Sequence, residues 1–98
     1  MAMENQHLLC PKYEKTVHMF GKRWTGLILR VLQHGPLRFT QLKEAIPHIS
    51  SKVLTERLKE LEIEEIIVLS QTHYSLTQKG IEMGKALDEI QAWADKYA

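Results

Sequence analysis

The sequence predicts a mainly α chain with a small β-wing, a winged helix-turn-helix, and three observations predict it. Two short amphipathic segments, 40–46 and 50–62, flank a break at Pro47, which is helix-turn-helix spacing. An apolar, β-branched run, Ile66-Ile67-Val68-Leu69, is followed closely by His73-Tyr74-Ser75-Leu76, giving two wing strands within 66–76. Helical stripes at 11–20, 22–34 and 77–97 surround this unit, and the whole reads as a single domain over 1–98.

In chain order, Met1-Ala2-Met3 looks like an added start before a natural Met3 and is left out of the fold reasoning. Glu4 to Leu9 lead to Cys10-Pro11. Proline suits the first helical position, which places Cys10 at or beside the N-cap. Tyr13, Val17 and Phe20 follow at helical spacing, and Gly21 ends helix one. The segment 22–34 is apolar nearly all round. Trp24, Leu27, Ile28 and Val31 make one stripe that Leu29 and Leu32 widen, so this helix is expected at the centre. Gly35-Pro36 stops it. Leu37-Arg38-Phe39 is long enough only for a small strand or an extended link. Thr40 is expected to cap helix three, with Leu42, Ala45 and Ile46 facing inward. Ser50 or Ser51 caps the next helix, whose Leu54, Leu58 and Leu61 form an apolar face. Ser70-Gln71-Thr72 is the turn between the wing strands. Thr77 caps a long last helix with Met83, Ala86, Leu87, Ile90, Ala94 and Tyr97 along one side, extended by Trp93.

Composition sets the limits. Hydrophobic residues are 44% and charged residues 26%, an ordinary globular balance. A net charge of +1 means that a nucleic-acid binder would have to gather its positive charge on one face. No apolar run approaches a membrane span, so no membrane partner is expected, and no signal peptide is visible. One cysteine cannot form an intramolecular disulfide, so a cytoplasmic protein is expected.

The outer face of the 50–62 helix carries Lys52, Thr55, Glu56 and Lys59. Such a face is either an ordinary solvated surface or one that enters a DNA major groove, with hydroxyls and amines reaching bases and phosphates. On the second reading Lys52 and Thr55 lie nearest the bases. Ser50, Ser51 and Lys59 hold the backbone, helped by Arg38, Gln41 and Lys43. The run Glu60, Glu62, Glu64, Glu65 is expected to be a solvated face that keeps its end of the domain off DNA.

Helix one and the last helix are too apolar to stand alone. Their stripes are expected to pack on each other within the chain and across a homodimer, through Tyr13, Val17, Leu87, Ile90, Trp93, Ala94 and Tyr97. Cys10 is either a buried inert thiol or a reactive one, because the positive end of a helix favours thiolate, with Lys12 and Lys15 nearby in sequence. Five scattered histidines, with His7-x-x-Cys10 as the one tight pair, do not make a metal site. No partner base or oxyanion device accompanies the cysteine, so no catalytic residue, enzyme activity or cofactor is expected.

Several motifs together resemble the HxlR family of bacterial transcriptional regulators, winged-helix proteins related to the MarR group. They are Cys10-Pro11, Gly21-Lys22-Arg23-Trp24 with Leu27-Ile28-Leu29, and Gly35-Pro36-Leu37-Arg38-Phe39. Ile49-Ser50, Leu54-Thr55-x-x-Leu58-Lys59-Glu60-Leu61-Glu62, Tyr74-Ser75-Leu76-Thr77 and Gly80 continue the series. Lys22-Arg23-Trp24, Arg57-Leu58-Lys59-Glu60-Leu61-Glu62 and the ending Gln91-Ala92-Trp93-Ala94-Asp95 resemble the quinone- and electrophile-responsive repressors of that family. The resemblance implies a homodimer on an operator with two pseudo-symmetric half-sites, and a sensor role for Cys10 toward thiol-reactive compounds. Two departures matter. The family usually carries a longer stretch between the wing strands, so either this wing is short or the chain lacks residues there, and no wing-tip residue is nominated. Some relatives have a further cysteine near the C-terminus, whereas this chain ends Asp95-Lys96-Tyr97-Ala98. A Cys10 disulfide would therefore join two copies of Cys10 or use a small thiol. Three functions follow: a regulator switched at Cys10, the same DNA binder switched by a non-covalent ligand in the cleft between the terminal helices and the wing domain, and a winged helix used for protein contact alone.

Overall fold

The protein, seen in a computed structural model, is described over residues 8–98. The reading of Met1-Ala2-Met3, the start of the segment from Glu4 and the pairing of His7 with Cys10 fall on residues outside that range. The elements are α1 (Pro11–Phe20), α2 (Thr25–Leu32), β1 (Leu37–Arg38), α3 (Phe39–Ala45), α4 (Ser51–Ile63), β2 (Ile67–Ser70), β3 (His73–Leu76) and α5 (Gln78–Tyr97).

α2 is the centre of the molecule because it is apolar on more than one side. It packs against α1, α3, β3 and α5. Ile28, Leu29 and Leu32 are buried on it together with Thr25. Leu42 and Ile46 from α3 and its exit, Leu54, Leu58 and Leu61 from α4, and Ile66 and Ile67 at the start of β2 complete the core with Ile49 and Leu87. Each such side chain contributes about 1.5–3 kcal/mol by leaving water. The helix is shorter than its apolar pattern suggests. Lys22–Trp24 form a turn, with the Thr25 N–H donating to the Lys22 carbonyl at 3.2 Å, because the chain must reverse between α1 and α2. Leu27, expected on the inward stripe, is 49% exposed, since neighbouring elements cover only part of the circumference of α2.

α3 begins two residues earlier than a Thr40 cap would place it. Its N-cap is Arg38, whose backbone N–H donates to the Gln41 Oε1 at 2.8 Å. This is possible because Leu37 and Arg38 form a strand, β1, antiparallel to β3 with Leu37 opposite Tyr74 and Arg38 opposite His73. The result is a three-stranded sheet of order β1-β3-β2. Ser70 belongs to β2, not to the turn, because it pairs with His73. The hairpin turns on Gln71 and Thr72 alone, with Gln71 at φ 56°.

α5 starts at Thr77, whose Oγ1 accepts from the Gly80 N–H at 3.2 Å and donates to the Glu65 carbonyl at 2.6 Å. Leu87 points into the core of its own chain, which corrects its assignment to an intersubunit face. Beyond it Ile90, Trp93 and Tyr97 are exposed. None of the residues of α1 is buried, and its packing is chiefly on α2 rather than along α5. The mutual burial of the two terminal helices within one chain is therefore not found. The radius of gyration, 15.3 Å, exceeds the roughly 13 Å of a compact chain of this length, because both terminal helices project.

Candidate nucleic-acid interface

The candidate reading helix is α4, and its entry is built locally. His48 takes a left-handed φ of 69°, turning the chain between α3 and α4. Ile49 is buried as the anchor of this turn. Ser50, not Ser51, is the N-cap, and its Oγ accepts the Val53 N–H at 3.1 Å. Leu54, Leu58 and Leu61 hold the inner face at no more than 1% exposure. That packing fixes what lies opposite. Ser51, Lys52, Thr55, Glu56 and Lys59 are all exposed. The Thr55 hydroxyl donates to the Ser51 carbonyl at 2.7 Å, so its oxygen is left as an acceptor.

The supporting candidates are also at the surface. Arg38 lies at the end of β1, and Lys43 on α3 is exposed. Gln41 is exposed too, but its carboxamide oxygen is already engaged with the Arg38 N–H, which leaves its amide hydrogens for an outside acceptor. The eight nominated side chains thus lie on α4, on α3 and at the end of β1, all reachable from solvent.

The acidic run is not uniformly solvated, which corrects that expectation. Glu60 is half-buried and accepts from Lys22 on one carboxylate oxygen and from Arg57 on the other. The Lys22 hydrogen bond holds the Glu60 carboxyl below the usual carboxylate range, against the opposing effect of partial burial, and Arg57 adds to the lowering. Arg57 and Glu60 stand three apart on one helix, so their pairing is visible in the sequence. Lys22 is remote from both, so its part is not.

Cys10 is the N-cap of α1, with Pro11 at the first helical position. Its thiol is exposed and makes no capping hydrogen bond. Tyr13 and Val17, on the same helix, are exposed, as are Ile90, Trp93 and Tyr97 on α5; Ala94 is half-buried. A groove of about 440 Å³ lies between α1, the end of α4 and the start of α5. Met19, Ile63 and Met83 line it together with Lys12, Lys15 and Lys79, and Cys10 is outside it. Among the described residues no helix is long and apolar enough to cross a membrane.

Proteins similar to this chain in sequence and fold are named as regulators of transcription. The chain is 49% identical to the HTH-type transcriptional regulator YodB of Bacillus subtilis (strain 168), over 91% of this chain and 86% of that protein. The crystal structure of quinone-bound YodB from B. subtilis superposes with a TM-score of 0.83, covering 91% of this chain and 100% of that one at 49% identity. The diamide-treated YodB structure gives 0.73, with 94% and 98% covered at 45% identity. Residues 19–98 match the HxlR-like helix-turn-helix family, a span that takes in α2, the helix-turn-helix, the wing and α5. With α4 capped by Ser50, a three-stranded sheet forming the wing and that match, the chain belongs to the HxlR-like helix-turn-helix family of transcriptional regulators.

Proposed function

We propose that this regulator is a cytoplasmic, homodimeric repressor that leaves a pseudo-palindromic double-stranded operator when Cys10 reacts with a quinone or a similar electrophile. The observation that carries the reading is the placement of Cys10: an exposed thiol at the N-cap of a helix whose residues Pro11 to His18 are all exposed. A quinone can reach it without any opening of the core. The sulfur adds to a ring carbon of the quinone, and the ring takes up the thiol proton and becomes a hydroquinone thioether. That bulky group sits at the start of α1, beside the exposed Tyr13 and Val17. YodB, a protein of similar sequence, has been seen in quinone-bound and diamide-treated forms, which supports a response to quinones and oxidants in this reading.

In this reading Lys52 and Thr55 face the bases, while Ser50, Ser51, Lys59, Arg38, Gln41 and Lys43 hold phosphates. The two copies join through Tyr13, Val17, Ile90, Trp93, Ala94 and Tyr97. Half-sites one helical turn apart, about 34–36 Å, make DNA affinity sensitive to any change in how two copies meet.

The test is operator release by a quinone, with intact-mass analysis of the same sample. Wild type should release operator as it gains one adduct per chain, and Cys10→Ser should bind operator and ignore the quinone. Full release from the Cys10→Ser protein would defeat the thiol switch. It would favour a second reading, in which a non-covalent ligand occupies the groove between α1, α4 and α5.

A further inference from the structure

Three charged side chains join the recognition helix to the turn between α1 and α2. Lys22, in that turn, donates to one oxygen of the Glu60 carboxylate, and Arg57 donates to the other. Their side chains are 35%, 36% and 22% exposed, in the order Lys22, Glu60, Arg57. Partial burial limits the solvent screening that makes most surface ion pairs weak. Among the described residues the Arg57 Nε is buried with no partner, so the guanidinium is held in place by this carboxylate despite an unmet donor. A second pair, Lys15 to Glu64 at 3.7 Å, reaches from α1 to the residue that caps α4.

The rest of α1 gives this bridge its meaning. The helix buries no residue, and a groove lies between it and the end of α4. Apolar contact of α1 with the core comes from Met19 and Phe20 at its exit, both partly buried, while residues 11–18 are exposed. Charged contacts at the α1 exit and at Lys15 connect the two. α4 itself is a continuous helix from Ser51 to Ile63, so a displacement at Glu60 is carried to Thr55 and Lys59 one turn and one residue away on the same rigid body.

We propose that Lys22, Glu60 and Arg57 form a positioning joint through which α1 sets the orientation of the recognition helix. The joint rests on the electrophile-switch reading for what displaces α1, but not for its own existence. None of the three residues touches DNA in this scheme; they act through α4.

The experiment reads the coupling from the DNA side, because coupling between two sites is reciprocal. Amide hydrogen exchange in the α1 segment is measured with and without a saturating duplex that the wild-type protein has selected from a random pool. In wild type and in Lys22→Arg, DNA should change α1 exchange by about fivefold or more, the lower end of ordinary allosteric coupling. In Lys22→Met and Glu60→Gln the DNA-dependent change should fall to less than about twofold. A purely structural role would raise exchange in these variants equally with and without DNA. No DNA effect on α1 in wild type, or an undiminished effect in both Lys22→Met and Glu60→Gln, would overturn the joint. A second arm alkylates Cys10 with N-ethylmaleimide: operator affinity should drop more in wild type than in Glu60→Gln. Should wild type keep its affinity when alkylated, the switch reading fails, and the exchange comparison still decides the joint.

Discussion

Gly80 lies directly against the carbonyl oxygen of Ile66, so closely that a Cβ at position 80 would overlap it. The oxygen cannot move aside. It accepts the Thr77 N–H at 3.0 Å and the Thr77 hydroxyl at 3.1 Å, and so fixes the start of α5 on the entry to β2. Glycine within a helix ordinarily costs about 1 kcal/mol relative to alanine. Here the clash is with backbone and reverses the sign. Gly80→Ala should lower stability by about 1–3 kcal/mol, as overpacking does, measured by chemical denaturation. An unchanged or raised midpoint would show that α5 can lift from Ile66 freely.

The exposed face of α4 yields two distinguishable DNA variants. Lys59→Ala should weaken binding to all sequences alike and reduce the salt slope by about one unit, as expected for a lost phosphate contact. Thr55→Ala should relax preference at one base position, with a penalty of about 1–3 kcal/mol confined to that position. Unchanged operator affinity in both Lys52→Ala and Lys59→Ala would remove α4 as the reading element.

Ile90 and Trp93 form an uncovered apolar surface on α5, extended by Tyr97, whose ring lies 5.3 Å from that of Trp93. Ile90→Asp places a charge there without touching the core of its own chain. Sedimentation should show monomers, or the protein should precipitate. A soluble variant that remains fully dimeric would put the interface elsewhere. Leu87→Asp would not be a clean probe, because Leu87 is buried in its own subunit.

Glu60 supplies a pH signature. Its folded carboxyl titrates below its usual range, because Lys22 and then Arg57 stabilise the charged form. A carboxylate depressed on folding contributes stability above its unfolded value, and that contribution is lost as pH falls through the folded value. Wild type should therefore lose thermal stability more steeply than Glu60→Gln from about pH 4.5 downward. At neutral pH Glu60→Gln should be the less stable of the two. Parallel melting curves against pH for the two proteins would disprove the ion-pair assignment.

Much of the fold is local, and local order is what a sequence encodes most directly. Cys10-Pro11, Ser50 and Thr77 mark helix starts because a cap needs only the residues of its own first turn. Leu54, Leu58 and Leu61 predict the inner face of α4, and hence the outward Lys52, Thr55 and Lys59, because helix periodicity ties the two faces together. At Cys10 the neighbours leave an inert and a reactive thiol both open, and the sensor role comes from the family resemblance. The hairpin turn was harder to place, since Gln71-Thr72 carries no glycine or asparagine and Gln71 is held at φ 56° between strands that pair regardless.

By itself, then, the sequence determined the main helices and the wing hairpin, the starts of α1 and α5, and that a helix-turn-helix precedes a wing. Only the tertiary structure decided which apolar residues are covered. Leu27 and Leu87 lie in similar helical stripes, yet one is half exposed and the other is in the core. The difference depends on which elements arrive from far along the chain. The same holds for Arg38 capping α3 through β1–β3 pairing, for Lys22 meeting Glu60, and for α1 standing clear of α5. Periodicity records what neighbours on one element share; burial and ion pairing between elements depend on distances that chain connectivity leaves open until the domain closes around α2.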